Sequence, residues 1–288
     1  MRGESALDAP APRVPWSAPG HPAPTAGVLG GHTLGRLEQR DGIVPNRDER
    51  RELHECRPLS VVGVVPAAGT ASRLQPFAGS KEAALVGGRP VIRYLLDRMI
   101  IGGAGRIRVV VRPAKTDLVD LVAHLGHEIV PAQPRSVSAS VLAGLDGLDP
   151  DDIVLLGFPD SVWQPADGFL AVGAEVERGA DLALGLFRVE EPERSDVVQL
   201  SAAGLVEGID VKPRQPRSDW IWGCLAGRVR VLGQLDAADE LSDFVAREAR
   251  RAAVPGVRLG RLIDVGTRRA LAEADAHPVV RASAGSGR

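Results

Sequence analysis

Cysteine and lysine are both scarce in this chain of 288 residues, and no apolar run in it is long. Two cysteines, Cys56 and Cys224, are too few for a disulfide framework or a thiolate metal site. The six histidines fall at no metal-ligand spacing, and no Ser/His/Asp or Cys/His set stands out. Nothing approaches the ~20 consecutive apolar residues of a membrane helix, and the amino terminus lacks the continuous apolar core of a secretory signal. A net charge of −2 supplies no basic field for holding nucleic acid. The expectation is a cytoplasmic protein acting on small molecules, with neither nucleic acid nor membrane as partner.

The shortage of lysine is informative. Of 35 basic residues, only Lys81, Lys115 and Lys212 are lysines, and all the others are arginine. Arginine evidently serves wherever positive charge alone suffices. A compact ammonium cannot be exchanged for a forked guanidinium in a tight phosphate pocket. Each lysine is therefore a candidate site residue, against the plain alternative of a residue left over on the surface.

Residues 1–57 are rich in Pro, Gly, Ala and Arg without sustained periodicity, and they read as a disordered extension. Order is expected over 58–276, with a flexible tail over 277–288. The apolar run from Ser60 to Pro66 predicts a buried parallel strand. Further strands are predicted over 107–111, 127–132 and 153–156, alternating with helices over 90–101, 116–125, 138–145 and 166–178. Thr116 is the expected N-cap of its helix. Strands then follow one another over 181–189, 196–200 and 220–225, before a helix over 236–252, a strand over 261–265 and a helix over 267–274. Alternating strands and helices predict an α/β fold, with a mixed, mainly parallel sheet flanked by helices and ligands beyond the carboxyl ends of its strands.

The residues with chemistry gather at those ends. A loop of small residues from Pro66 to Pro76 follows the first strand, and Ser80-Lys81-Glu82 comes next. Ala68, Gly69 and Thr70 would let backbone amides approach an anion, with Arg73 and Lys81 adding charge. The loop is neither a Walker A motif nor the three-glycine dinucleotide fingerprint. Taken alone it is ordinarily a structural turn. Gly157-Phe-Pro-Asp160 ends a buried strand, and Asp264-Val-Gly-Thr267 ends the last one. Each aspartate alone reads as a strand-to-turn residue, but two such carboxylates suit a hard cation bridging phosphate oxygens.

The order of these segments resembles the sugar-1-phosphate nucleotidyltransferases, particularly the glucose-1-phosphate thymidylyltransferase branch. Gly69, Arg73, Leu74, Pro76 and Lys81 fall in the places of that family's loop and lysine signature, and the likeness runs over roughly residues 60–275. Ala71 stands where a second glycine is usual, Ser72 where threonine is usual, and Val211 where an acidic residue is usual. The glycine that normally follows Gln133 by a few residues is absent. The resemblance implies a Rossmann-like fold of the nucleotide-diphospho-sugar transferase type, similar to the GT-A fold. It implies catalytic roles for Arg73 and Lys81, and nucleotide contacts from Ala68, Gly69, Thr70 and Gln133. It also implies a sugar-phosphate contact from Lys212, which precedes Pro213, and Mg²⁺ held by Asp160 and Asp264.

The activity so implied is transfer of a nucleoside monophosphate from a nucleoside triphosphate to a sugar 1-phosphate, thymidylyl and uridylyl transfer both being open. A homo-oligomer is compatible with it. Two other readings stay open: a nucleotidyltransferase with a non-sugar phosphorylated acceptor, and a catalytically impaired nucleotide-binding protein. Lys115 reads as a surface residue, and Trp163, Trp220 and Trp222 as packing under the sheet before any role in a sugar pocket.

Overall fold

The structure is a computed structural model that describes residues 59–70 and 79–285, within a compact unit spanning Arg57–Arg288. The extension expected over 1–57, and Ala71, Ser72, Arg73, Leu74 and Pro76 of the loop, lie outside the described residues.

The first apolar run forms β1 (Val61–Pro66), and Val62, Val64 and Val65 in it are fully buried. A small hairpin of β2 (Leu85–Val86) and β3 (Arg89–Pro90) leads into α1 (Ile92–Ile101). Strand β4 (Arg106–Val111), helix α2 (Thr116–His124), strand β5 (Glu128–Pro131) and helix α3 (Val137–Leu145) follow. Next come β6 (Ile153–Gly157), β7 (Ser161–Trp163) and α4 (Gly168–Glu177). The second half holds β8 (Leu182–Arg188), β9 (Asp196–Leu200), β10 (Val206–Val211) and β11 (Trp220–Arg228). It closes with α5 (Val229–Leu232), α6 (Leu241–Ala249), β12 (Gly256–Asp264), α7 (Arg268–Glu273) and α8 (Pro278–Gly285).

The main sheet runs β5-β4-β1-β6-β11-β8-β12-β7, with β9 joined to β11 and β10 to β9. Its first four strands are parallel, whereas β11 runs antiparallel to both β6 and β8. The α/β expectation therefore holds, with a mixed sheet flanked by helices. From β1 the chain builds β4 and β5 on one side, then crosses to place β6 on the other. That reversal opens a crevice beyond the carboxyl ends of β1 and β6, where open α/β sheets bind ligands.

Both faces of the sheet are covered. Ile92, Leu95, Leu118, Phe169 and Val172 of α1, α2 and α4 pack on one face. Val141 and Leu145 of α3 pack on the other, together with Phe244 and Val245 of α6. Gly144 allows α3 to lie close to the sheet, since a Cβ there would stand 2.5 Å from Val64 Cγ1. This close packing fixes the amino-terminal end of α3 over the crevice.

Several elements differ from the sequence expectations. Lys115, not Thr116, is the N-cap of α2, and no side chain caps that end. Helix α6 begins at Leu241 because residues 236–240 form turns, one closed by the Ala238 amide on Asp236 Oδ1 at 2.9 Å. Strand β12 starts at Gly256, five residues before the expected 261. Strands β7 and β10 and the β2–β3 hairpin were not expected. Residues 278–285, expected within a loose tail, form α8. Its Val279 and Val280 are buried against Val86, Val91 and Tyr94, which supplies the apolar contact a short helix needs.

Candidate active site

Three of the expected side chains come together at the carboxyl edge of the sheet. Asp160 follows β6 by three residues, and its backbone oxygen accepts a 2.9 Å hydrogen bond from the Val265 amide just past β12. The register pairs Asp264 with Ser161, so the two aspartates arrive side by side from strands of different origin. Asp264 Oδ1 accepts a hydrogen bond from the Gly266 amide at 2.6 Å. A Cβ at Gly266 would lie 2.8 Å from that oxygen and 3.4 Å from Asp160 Oδ2. Both carboxylates therefore face one small space, kept open by the glycine.

Lys81 reaches the same place from a single 3-10 turn, Lys81–Ala83, and its ammonium forms an ion pair with Asp160 Oδ2. Burial alone would lower the Lys81 pKa. The neighbouring Asp160, Glu82 and Asp264 carboxylates outweigh it and hold the group above its ordinary value. Lys81 is thus a cation at neutral pH.

The adjoining cleft has a volume of about 340 Å³. One wall is Ala68, Gly69 and Thr70, and the other is the segment from Pro134 to Val137 with Ser140. Gly69 lines the cleft, and a Cβ there would meet no atom of the described residues within 4 Å. Helix α3 points its amino-terminal turn into the cleft, with Ser136 Oγ accepting from the Ala139 amide at 2.9 Å. Free amides and the helix dipole make such a terminus attractive to anions. Ser140 Oγ is buried there without a hydrogen-bond partner among the described residues. Arg112, which sequence reasoning passed over, ties the walls together by donating to the Ala68 oxygen at 2.7 Å and the Pro134 oxygen at 2.6 Å.

The remaining expected residues are placed differently. Gln133 is exposed, next to the cleft-lining Pro134 and Arg135. Lys212 is exposed just past β10 and does not line this cleft. It is the one described non-glycine residue with positive φ, at 41°, a conformation that is uncommon for such a side chain. Arg73 lies outside the described residues. Lys115, read as a surface residue, is mostly buried, and its ammonium donates to both Glu82 oxygens at 2.9 and 2.8 Å and to the Ala67 oxygen at 2.8 Å. Two signals could have found it: the scarcity of lysine, and the likeness of residues 113–117 to a segment of the family the chain resembles.

A second cavity of about 740 Å³ opens at the same edge, where β8 ends and β11 begins. Arg188, Trp220, Leu259 and Arg261 line it, and its charges are paired as Arg188–Asp219 and Arg194–Glu191. Of the tryptophans, Trp163 is fully buried against Phe169 and Phe187, and Trp222 packs on Phe158 with ring centroids 5.4 Å apart. Among the described tryptophans, only Trp220 lines this cavity.

Residues 63–192 match the MobA-like NTP transferase domain family. Among curated proteins, the chain is 30% identical over 165 residues to a glucose-1-phosphate thymidylyltransferase of Streptomyces griseus, covering 54% of this chain and 46% of that protein. It is 27% identical over 170 residues to the glucose-1-phosphate thymidylyltransferase of Neisseria gonorrhoeae, covering 55% and 58%. The chain thus spans about half the length of the curated relatives it matches. Its fold is similar to that of a Bacillus anthracis protein described as a glucose-1-phosphate thymidylyltransferase, solved with sucrose. The TM-score is 0.68 and the identity 20%, covering 75% of this chain and 94% of that one. It is also similar to UDP-glucose pyrophosphorylase of Acinetobacter baumannii, with TM-score 0.65 and 17% identity over 77% of this chain and 95% of that one. Over the part that these matches cover, the chain that carries the strand-end aspartates and the lysine turn is similar to sugar-1-phosphate nucleotidyltransferases.

Proposed function

We propose that this chain transfers a nucleoside monophosphate from a nucleoside triphosphate to a sugar 1-phosphate, forming an NDP-sugar and releasing pyrophosphate. The observation that carries this reading is the meeting of Lys81, Asp160 and Asp264 beside a cleft walled by a small-residue loop and a helix amino terminus. The relatives, named as a thymidylyltransferase and a UDP-glucose pyrophosphorylase, support dTTP or UTP as donor.

In this mechanism an anionic oxygen of the acceptor phosphate attacks the α-phosphorus. The new P–O bond forms as the bond to the β-phosphate oxygen breaks, and pyrophosphate leaves with that electron pair. The nucleophile is already ionised, so no general base is needed. The protein brings two polyanions together and offsets the charge that builds up. Ala68, Gly69 and Thr70 would present backbone to the triphosphate, with Arg73 and Lys81 supplying positive charge. Gln133 would turn toward the base. Lys212 would meet the acceptor phosphate, and its unusual backbone conformation is in keeping with a functional position. The second cavity has the room and the paired charges for an uncharged polyhydroxyl group.

No three His, Cys, Asp or Glu side chains converge among the described residues. Two carboxylates facing one space nonetheless fit Mg²⁺, which takes few protein ligands and completes its shell with phosphate oxygens and water. Asp160 and Asp264 would hold it, and it would supply charge neutralisation at the α-phosphate. Lys81 and Asp160 neutralise each other now. With a triphosphate bound, the Lys81 ammonium would turn to phosphate oxygens, and the Asp160 carboxylate would be left to hold the cation.

The test is pyrophosphate release with Mg²⁺ across five nucleoside triphosphates and a panel of sugar 1-phosphates. Release is expected with a dTTP or UTP pair, and Lys81→Ala and Asp160→Ala should each reduce it by about 10²–10³-fold, the scale for losing one electrostatic stabiliser. Absence of release with every pair would refute this reading.

A further inference from the structure

Lys81 sits in a turn too short to hold itself. Its 3-10 segment is three residues long, and Ser80 at its N-cap makes no side-chain cap bond. Both flanks of Lys81 are instead held from outside, by the connection between β4 and α2. On one side, Asp117 accepts from the Ser80 amide and the Ser80 hydroxyl, both at 2.7 Å. On the other, Lys115 holds the nearly inaccessible Glu82 carboxylate with both oxygens engaged. The same ammonium reaches the Ala67 oxygen, and Arg112 reaches Ala68, at the root of the phosphate loop.

We propose that Lys115 and Asp117 are positioning residues that set the catalytic lysine, Lys81, against Asp160 and in register with the phosphate loop. The inference rests on the nucleotidyltransferase reading for its effect on rate, but not for its effect on where Lys81 stands.

The backbone argues for the same coupling. Gly79, with φ of +87°, admits the Asp117 carboxylate so closely that a Cβ would lie 2.8 Å from Oδ2. Burial is the largest single influence on the Asp117 pKa and raises it. The bonds from the Ser80 amide and hydroxyl, joined by the Leu118 and Asp117 amides, together outweigh it and leave the carboxyl below its ordinary value. Lys115 works differently. Burial pushes the Glu82 pKa up, and the Lys115 ammonium opposes that rise without cancelling it. Rigid placement of a charged group is worth a great deal in rate, since a 1 Å misplacement costs on the order of 10²-fold.

Two variants separate positioning from mere support of the fold. Asp117→Asn keeps the shape but cannot accept two hydrogen bonds in the same way. Lys115→Met alone strands Glu82, so it is paired with Glu82→Met, because replacing a buried ion pair by apolar residues generally preserves stability. In both the single Asp117→Asn variant and the Lys115→Met/Glu82→Met double variant, kcat is expected to fall about 10–100-fold. KM for the triphosphate should move less than threefold, and the thermal midpoint little.

A second readout does not depend on activity. With three lysines in the chain, ¹⁵N-lysine labelling gives a sparse ammonium spectrum in which Lys81 is assigned by Lys81→Arg. The Lys81 signal at neutral pH should shift or broaden in both variants, while that of Lys212 stays. Folded variants with an unchanged Lys81 signal and unchanged kcat would overturn the proposal. If the wild type releases no pyrophosphate with any pair yet the Lys81 signal moves, the positioning role stands and the nucleotidyltransferase reading falls.

Discussion

Gly266 has no side chain because two carboxylates leave no room for one. A Cβ there would press on Asp264 Oδ1 at 2.8 Å and approach Asp160 Oδ2 at 3.4 Å. Gly266→Ala should therefore disturb the pair without touching the core. The Mg²⁺ concentration giving half-maximal rate is expected to rise about tenfold, the scale seen when groups that orient metal ligands are disturbed. Rates measured across a Mg²⁺ titration check this, and an unshifted curve would show that the two aspartates do not act on one cation. At this scale the sequence was legible where a residue type was constrained on its own. Lys81 stood out against an arginine background, and Asp160 and Asp264 each ended an apolar run. Partnerships were not legible. Nothing in the sequence ties Lys115 to Glu82, 33 positions away, because ion pairs across loops leave no periodicity. Arg112 was hidden for the opposite reason, as one arginine among many.

Among the elements, strands and helices of the first half could be read because burial on both faces writes β1, β4 and β6 as plain apolar runs. Strand β7 is only three residues long, and β10 lies next to β9 away from the main path, with Glu207 and Val211 exposed, so neither leaves a clear pattern. Helix α8 was missed because its anchor is one polar side chain and two valines. Ser283 Oγ accepts from Arg98 Nη2 at 3.0 Å and from Gln164 Nε2 at 2.7 Å. Arg98 is itself buried, with burial bringing its pKa down to about 10, and its guanidinium also bonds the oxygens of Tyr94 and Trp163. Removing residues 278–288 would expose the Val279 and Val280 contacts and take away one of the few partners of a buried cation. The expected cost is about 2–4 kcal/mol, from two buried valines less the entropy regained by a freed helix. Urea unfolding of the truncated chain measures it, and an unchanged midpoint would mean that α8 contributes nothing to the stability of the body it packs on.

At the scale of the whole molecule, the switch in strand order between β1 and β6 decides where a nucleotide can sit. Both cavities open at that same edge, and the net charge of −2 does nothing to attract polyanions at long range. Binding must therefore draw on local groups: the Ala68–Thr70 loop, the start of α3, Lys81 and the paired aspartates. A ligand that binds only the folded chain stabilises it by RT ln(1 + [L]/Kd), about 2.7 kcal/mol at a hundred times Kd. For a body of this size the thermal midpoint should rise roughly 5–10 °C. The rise is expected with the preferred triphosphate and Mg²⁺, and to be much smaller for the triphosphate alone. Asp160→Asn should lose the Mg²⁺-dependent part and keep the rest, because the loop and helix amides remain. A scan of the five triphosphates by melting temperature then identifies the base without any acceptor present. Equal shifts for all five would mean that the cleft grips phosphate and leaves the base unread.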